Sequence, residues 1–333
     1  MIQTIYDHYG IKPAQLTDIG EYKGFQYRSI LYIIVDLGHL DEEEVYEFHQ
    51  MSQFLISQGE RKVASFMINK DGGMITESDG KKFGICRVPY PVETSSIAYG
   101  RELAAFHQKG KLLPYPMEKS NRIGQWKGLW EKRLDQLEKF WGMKVQEHPN
   151  NETDKRFIES FPYYLGVTEN AIQYLTDTEI DDLPRTFDIA TICHHRFILT
   201  TWRQDSFFKM PTDWVFDHPS RDLAEYIRHL YFKSGVFSEK VLFDFLGEYE
   251  KITPLSSFAW RLLYARLLFP VHYFESIEGY YSSRSEAEKQ TYESDIEKII
   301  HGCTQYEQFL AYFYSKMGIS TKRHHIPEIE WLQ

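Results

Sequence analysis

The hydrophobic pattern of this chain changes character once, and that change limits the folds open to it. Up to about Val88 the apolar residues run in short β-like stretches around one helical segment. Beyond Pro89-Tyr90-Pro91 they recur at helical spacing almost to the end. In the first part, Phe25 to Asp36 sets Ile30, Tyr32 and Ile34 against Leu31, Ile33 and Val35, which predicts one strand buried on both faces and stopped by Gly38. From Asp41 to Gln58, Val45, Phe48, Met51 and Leu55 fall on a single helical face, with Gly59 as the stop. Two further strands, Val63 to Asn69 and Lys82 to Val88, flank the turn signals Asp71-Gly72-Gly73 and Asp79-Gly80. The pattern predicts an α+β chain of two lobes. A small antiparallel β lobe with one helix covers 1–90, a hinge falls near 87–92, and a larger, mainly α-helical lobe covers 91–333.

The helical part divides into Ser96 to Gln108 ending at Gly110, Trp126 to Phe140, Asp222 to Lys233, Ser238 to Tyr249, Ser257 to Leu268 before Pro270, and Glu286 to His301. Asp222 is placed as an N-cap, ahead of an apolar stripe of Leu223, Tyr226, Ile227, Leu230 and Tyr231. The stripe Trp126, Trp130, Leu134, Leu137, Trp141 reads as core, with partner docking as its alternative. Residues 142–156 read as an exposed loop.

A chain of 333 residues, 42% hydrophobic and 16% aromatic, has ample material for a core. Its 38 basic against 48 acidic residues give a net charge of −10, which opposes a polyphosphate backbone, so no nucleic-acid partner is expected. No apolar run approaches the roughly 18 residues of a membrane span. The start, Met1-Ile2-Gln3-Thr4, lacks the basic and apolar parts of a signal peptide, so an intracellular protein without membrane insertion is expected. Cys86, Cys193 and Cys303 are too few and too scattered for a disulfide framework or a cysteine zinc cluster.

The chemistry-bearing stretch is Cys193-His194-His195-Arg196-Phe197-Ile198-Leu199-Thr200-Thr201-Trp202. It is followed by Thr212-Asp213-Trp214-Val215-Phe216-Asp217 and by Ser220-Arg221-Asp222-Leu223-Ala224-Glu225. The order is similar to the catalytic loop H-x-D-x-x-x-x-N, metal-binding turn and D-L-A helix of the aminoglycoside phosphotransferase and choline kinase type, with H-x-R-x-x-x-x-T in place of the loop. Together with Met51-x-x-x-Leu55-x-x-x-Gly59 and Gly100-Arg101-Glu102-Leu103-Ala104-Ala105-Phe106-His107, the chain resembles over nearly its whole length the CotS-related spore coat proteins of endospore-forming bacilli, YutH type. The resemblance implies a bilobal protein-kinase-like (aminoglycoside phosphotransferase-like) fold whose active site, about 193–222, is degenerate.

Carried over position by position, the resemblance puts Arg196 where the proton-accepting aspartate would stand and Thr201 where the asparagine that holds the second magnesium would stand. His194 packs under the loop and Asp222 braces its backbone. A guanidinium stays protonated, with a pKa above about 12, so Arg196 cannot act as a base. The expected strand Leu31 to Leu37 holds no lysine to grip nucleotide phosphates, and none occurs between Lys23 and Lys62. Glu44 stands at the place of the lysine's glutamate partner, but Asp41-x-x-Glu44 is also a capping box. Asp213, with Asp217 as rival, is the metal candidate, and Asp213 reads equally as a turn residue after Pro211. Gly20-Glu21-Tyr22-Lys23-Gly24 is poor as a phosphate loop and reads as a hairpin turn. An ion pair from Arg196 to Asp213 or Asp217 is expected to fill the metal position. The expectation is a non-enzyme with no resident metal or cofactor, made in the mother-cell cytoplasm and joined to the spore coat through coat-protein partners. The alternatives are an atypical small-molecule phosphotransferase using Mg-ATP and a pseudokinase that binds nucleotide without turnover.

Overall fold

The computed structural model describes residues 1–333 except 61, 89–97, 203–207, 234–236, 325, 328 and 330–333. The expected hinge and the expected helix start at Ser96 therefore lie wholly or mostly outside the described residues. By contact the chain gathers into two compact units, one from 1–123 with 189–254 and one from 124–188 with 255–333.

The first unit opens with α1 (Ile2–Tyr9) and an antiparallel sheet of β1 (Thr17–Ile19), β2 (Tyr22–Tyr27), β3 (Ile30–Asp36), β4 (Ser65–Phe66), β5 (Thr76–Ser78) and β6 (Lys81–Val88), with α2 (Glu42–Ser57) between β3 and β4. The spatial order is β1-β2-β3-β6-β4, and β5 pairs with β6. The expected single strand from Phe25 to Asp36 is two strands. Tyr27 pairs with Ile30 around Arg28, whose φ of 51° turns the chain. Apolar residues on both sides of that turn hid it, since no glycine, proline or asparagine marks it. Asp79 and Gly80, at φ 53° and 71°, make the two-residue hairpin that their sequence signals. Asp41 caps α2 by accepting from the Glu44 amide at 2.8 Å. Val45 and Phe48 of α2 pack on Ile33, Val35, Leu37, Phe66, Cys86 and Val88, while Ile5 and Ile11 cover Phe25, Tyr32, Phe83 and Ile85 on the sheet's other face.

The same unit continues with α3 (Tyr99–Gly110), the antiparallel pair β7 (Thr191–His194) and β8 (Trp214–Asp217), then α6 (Ser220–Phe232) and α7 (Glu239–Glu250). α3 lies tightly on β7 because residue 110 is glycine: a Cβ there would collide with Thr191 Oγ1 and come within 2.7 Å of the Ile192 amide. Asp222 does not cap its helix. α6 begins at Ser220, and the Asp222 carboxylate is turned inward to other partners.

The second unit is helical: α4 (Trp126–Glu147), α5 (Glu152–Asp181), α8 (Ser257–Leu268), α9 (Val271–Ser282), α10 (Glu286–His301) and α11 (Cys303–Lys316). The loop expected over 142–156 shrinks to 148–151, because α4 runs on to Glu147 and Asn151 caps α5, accepting from the Asp154 amide at 2.8 Å. Trp126 and Trp130 are core residues, and Trp130 stacks on Phe269 at 4.5 Å. Leu134 and Leu137 meet Phe157, Phe161, Tyr273 and Phe274 in the unit's centre. Among the described residues no helix is long and apolar enough to cross a membrane.

Candidate functional site

The β7–β8 pair presents three of the expected residues at neighbouring points. His194 ends β7, Asp213 closes the 3₁₀ turn Pro211–Asp213 just before β8, and Asp222 sits in the first turn of α6. Asp222 ties the loop down. One carboxylate oxygen accepts from the His194 amide at 2.9 Å, and the other lies 2.7 Å from His194 Nδ1 and 3.2 Å from His107 Nε2. Burial pushes this carboxyl's pKa up, but the adjacent His194 imidazole and the hydrogen bonds from His107 and His194 outweigh it and hold the group well below the usual carboxylate range. An ionised carboxylate accepts and cannot donate, so both imidazoles donate to it. His107 Nδ1 is then left to accept from the Tyr249 hydroxyl at 2.8 Å. Burial drives the His107 pKa down, consistent with a neutral ring. Cys193 Sγ is 3.9 Å from His107 Nε2 and points at the Asp217 and His218 carbonyls, 3.5 Å from each, so this knot is closed by hydrogen bonds.

In front of the knot is a cleft of about 410 Å³, lined by Tyr22, His195, Arg196, Thr201, Phe208 and Asp213 among others. The half-exposed Arg196 lies beside a carboxylate other than the two aspartates expected for it. It reaches Glu225 at 4.0 Å, while Asp217 is buried and held by Arg221 at 2.9 Å. Arg221 also donates to the His194 carbonyl at 2.9 Å, which fixes the loop from a second side. Asp213 accepts a 3.1 Å hydrogen bond from the Tyr22 hydroxyl of β2. Burial pushes the carboxyl pKa of Asp213 up, and burial and then the charge of Asp213 raise that of Tyr22. Thr201 works on its own loop: its hydroxyl accepts from the Ile198 amide at 2.8 Å and donates to the Arg196 carbonyl at 3.1 Å. Glu44 is not among the residues lining this cleft, and β3, Ile30 to Asp36, offers it no lysine. The Glu44 carboxylate has no hydrogen-bond or ion-pair partner among the described residues, so only the Asp41 half of the capping box is formed.

The solved structure of an aminoglycoside phosphotransferase from Alicyclobacillus acidocaldarius subsp. acidocaldarius DSM 446 shares this architecture, with a TM-score of 0.70 over 96% of each chain at 12% sequence identity. At that identity the likeness is one of fold. The family profile described as "Spore coat putative kinase YutH" matches residues 2–313. The chain belongs to the spore coat YutH family. It is 46% identical over 330 residues to the endospore coat-associated protein YutH of Bacillus subtilis (strain 168), which covers 99% of this chain and 97% of that protein. Spore coat protein S of the same organism is 26% identical over 179 residues, 52% of this chain and 50% of that one.

Three residues of this YutH-family site escaped the sequence reading. Tyr22 fell in a segment read as a hairpin turn, and its partner lies 191 positions away. His107 ended a recognised motif without a role. Lys209 is buried, paired with Glu60 at 3.2 Å, and its Nζ stands 4.7 Å and 4.3 Å over the Phe106 and Trp202 rings. A lysine therefore enters the core of this chain from residue 209, where Glu60 and two aromatic faces engage it.

Proposed function

We propose that this chain is a non-catalytic kinase-fold protein of the endospore coat that acts in sporulation through contacts with coat proteins. The observation that carries the reading is that Arg196, which the loop resemblance sets against the catalytic base, lines the cleft. Its guanidinium cannot take a substrate proton. Phosphoryl transfer rests on positioning and charge, and here the strand lysine and the loop asparagine are missing as well. The one acidic side chain of the metal turn that lines the cleft, Asp213, is engaged by Tyr22. Mg-ATP does not fit this residue set in the way phosphotransferases hold it, and no step is assigned to it. The coat assignment rests on the family, and synthesis in the mother-cell cytoplasm with later deposition on the spore belongs to the same reading.

Thermal unfolding with and without excess Mg-ATP tests it. A ligand at a hundred times its dissociation constant adds about 2.7 kcal/mol, which is several degrees for a chain of this size. We expect no shift. A magnesium-dependent rise with ADP release would replace the reading with a phosphotransferase, and a rise without turnover would replace it with a nucleotide-sensing pseudokinase.

A further inference from the structure

A second cavity, of about 620 Å³, opens between α2 and the segments 72–75 and 116–119 and shares no lining residue with the cleft. Its volume lies within the roughly 300–1,000 Å³ of small-ligand and side-chain pockets. Apolar side chains of Val45, Met74 and Ile75 line it, and Tyr46 stands at 54% exposure beside them. Both walls are fixed in place. Glu47 clamps one by accepting from the amides of Glu118, Lys119 and Ser120 at 2.7, 2.9 and 2.8 Å. The buried Asn69 holds the other, accepting from the Asp71 and Gly73 amides and donating to the Ile75 carbonyl. A groove that needs no ordering on binding favours a docked ligand.

The charge of the groove selects the occupant. Lys119 is the one cationic side chain among the lining residues, and Asp41 and Glu43 engage it at 3.0 Å each. The exposed carboxylates of Glu42 and Glu118 have no partner among the described residues. With a net charge of −10 behind them, an anionic partner would be repelled and a cationic one steered in.

We propose that this groove docks a basic segment of a partner protein, an extended stretch that lays one apolar side chain on Met74, Ile75 and Tyr46 and sets lysine or arginine against Glu42 and Glu118. The proposal rests on the reading that the protein acts through protein contacts. Fluorescence anisotropy of a labelled peptide alternating lysine with leucine and phenylalanine tests it, with a counterpart carrying glutamate for lysine. The wild-type chain binds the lysine peptide about ten-fold tighter than the glutamate peptide, and more weakly as salt rises. E42K/E118K reverses that preference, E42Q/E118Q weakens it and Y46A lowers affinity, with melting temperatures showing that each variant is folded. Equal binding of the lysine peptide by folded E42K/E118K overturns the proposal, as does the absence of discrimination by the wild type. Self-association of the chain, measured by size-exclusion chromatography and abolished by E42K/E118K, overturns it in favour of a second copy as occupant. None of the groove residues lines the cleft, so a Mg-ATP-induced shift would sink the non-catalytic reading without altering the peptide result.

Discussion

Asp222 shows how one buried carboxylate holds a loop to the helices beside it. Its carboxylate holds the His194 amide and two imidazoles in a fully buried site, so D222N leaves donors without their anion. Breaking one side of a buried charged network typically costs about 3–5 kcal/mol, and urea unfolding of D222N is expected to show a loss of that order. The pH dependence has a definite sign. The folded carboxyl pKa is depressed, so its contribution is complete above the unfolded value of about 3.9 and is lost as pH falls through the folded value. The acid limb of the stability profile below about pH 4 should be shallower in D222N than in wild type, and identical limbs would refute the brace. At this scale the sequence is informative where partners are near in chain: His194, Arg196 and Thr201 share one loop, and Asp222 follows His194 by 28 positions. Tyr22 and Lys209 were not legible, because what each does depends on residues far along the chain: Asp213 for one, Glu60 and Phe106 for the other.

Helix α5 is the element on which pattern and structure part company. Phe157, Phe161, Tyr164, Thr168, Ala171, Leu175 and Thr178 recur at spacings of three and four and are buried, but Pro162 and Gly166 interrupt the stretch and obscure the period. Proline lacks the amide that would bond the carbonyl four residues back, which is that of Ile158. Trp141 of α4 supplies the missing donor, its Nε1 reaching the Ile158 oxygen at 3.1 Å. The tryptophan stripe is thus both packing and repair. W141F should destabilise the protein by about 1–3 kcal/mol through the orphaned carbonyl and lost contact, and P162A should recover part of that loss by restoring a backbone donor. Strictly additive effects of W141F and P162A in a double-mutant cycle would show that the indole does not serve this carbonyl.

The whole molecule joins an aminoglycoside phosphotransferase-like fold to a loop that reads His194-x-Arg196-x-x-x-x-Thr201. Placing the aspartate and asparagine of the kinase-type loop there together does not create transfer on the proposed reading: R196D/T201N still lacks a lysine on β3 and still has Tyr22 on Asp213, so no ADP should be released above background with any small-molecule acceptor. Turnover in that variant would mean that phosphates are gripped by other residues. Element types along the chain were legible because strand and helix periods differ and switch near residue 90. Contact grouping was not, since residues 1–123 form a unit with 189–254 across an intervening helical stretch. That arrangement also sets the timing of biosynthesis. His107 leaves the ribosome 115 residues ahead of Asp222, a wait of roughly 6–23 s at about 5–20 residues per second. Until then the α3 surface of Leu103 and Phe106 has no finished site to enter, so a nascent chain halted before α6 would present that apolar face to chaperones.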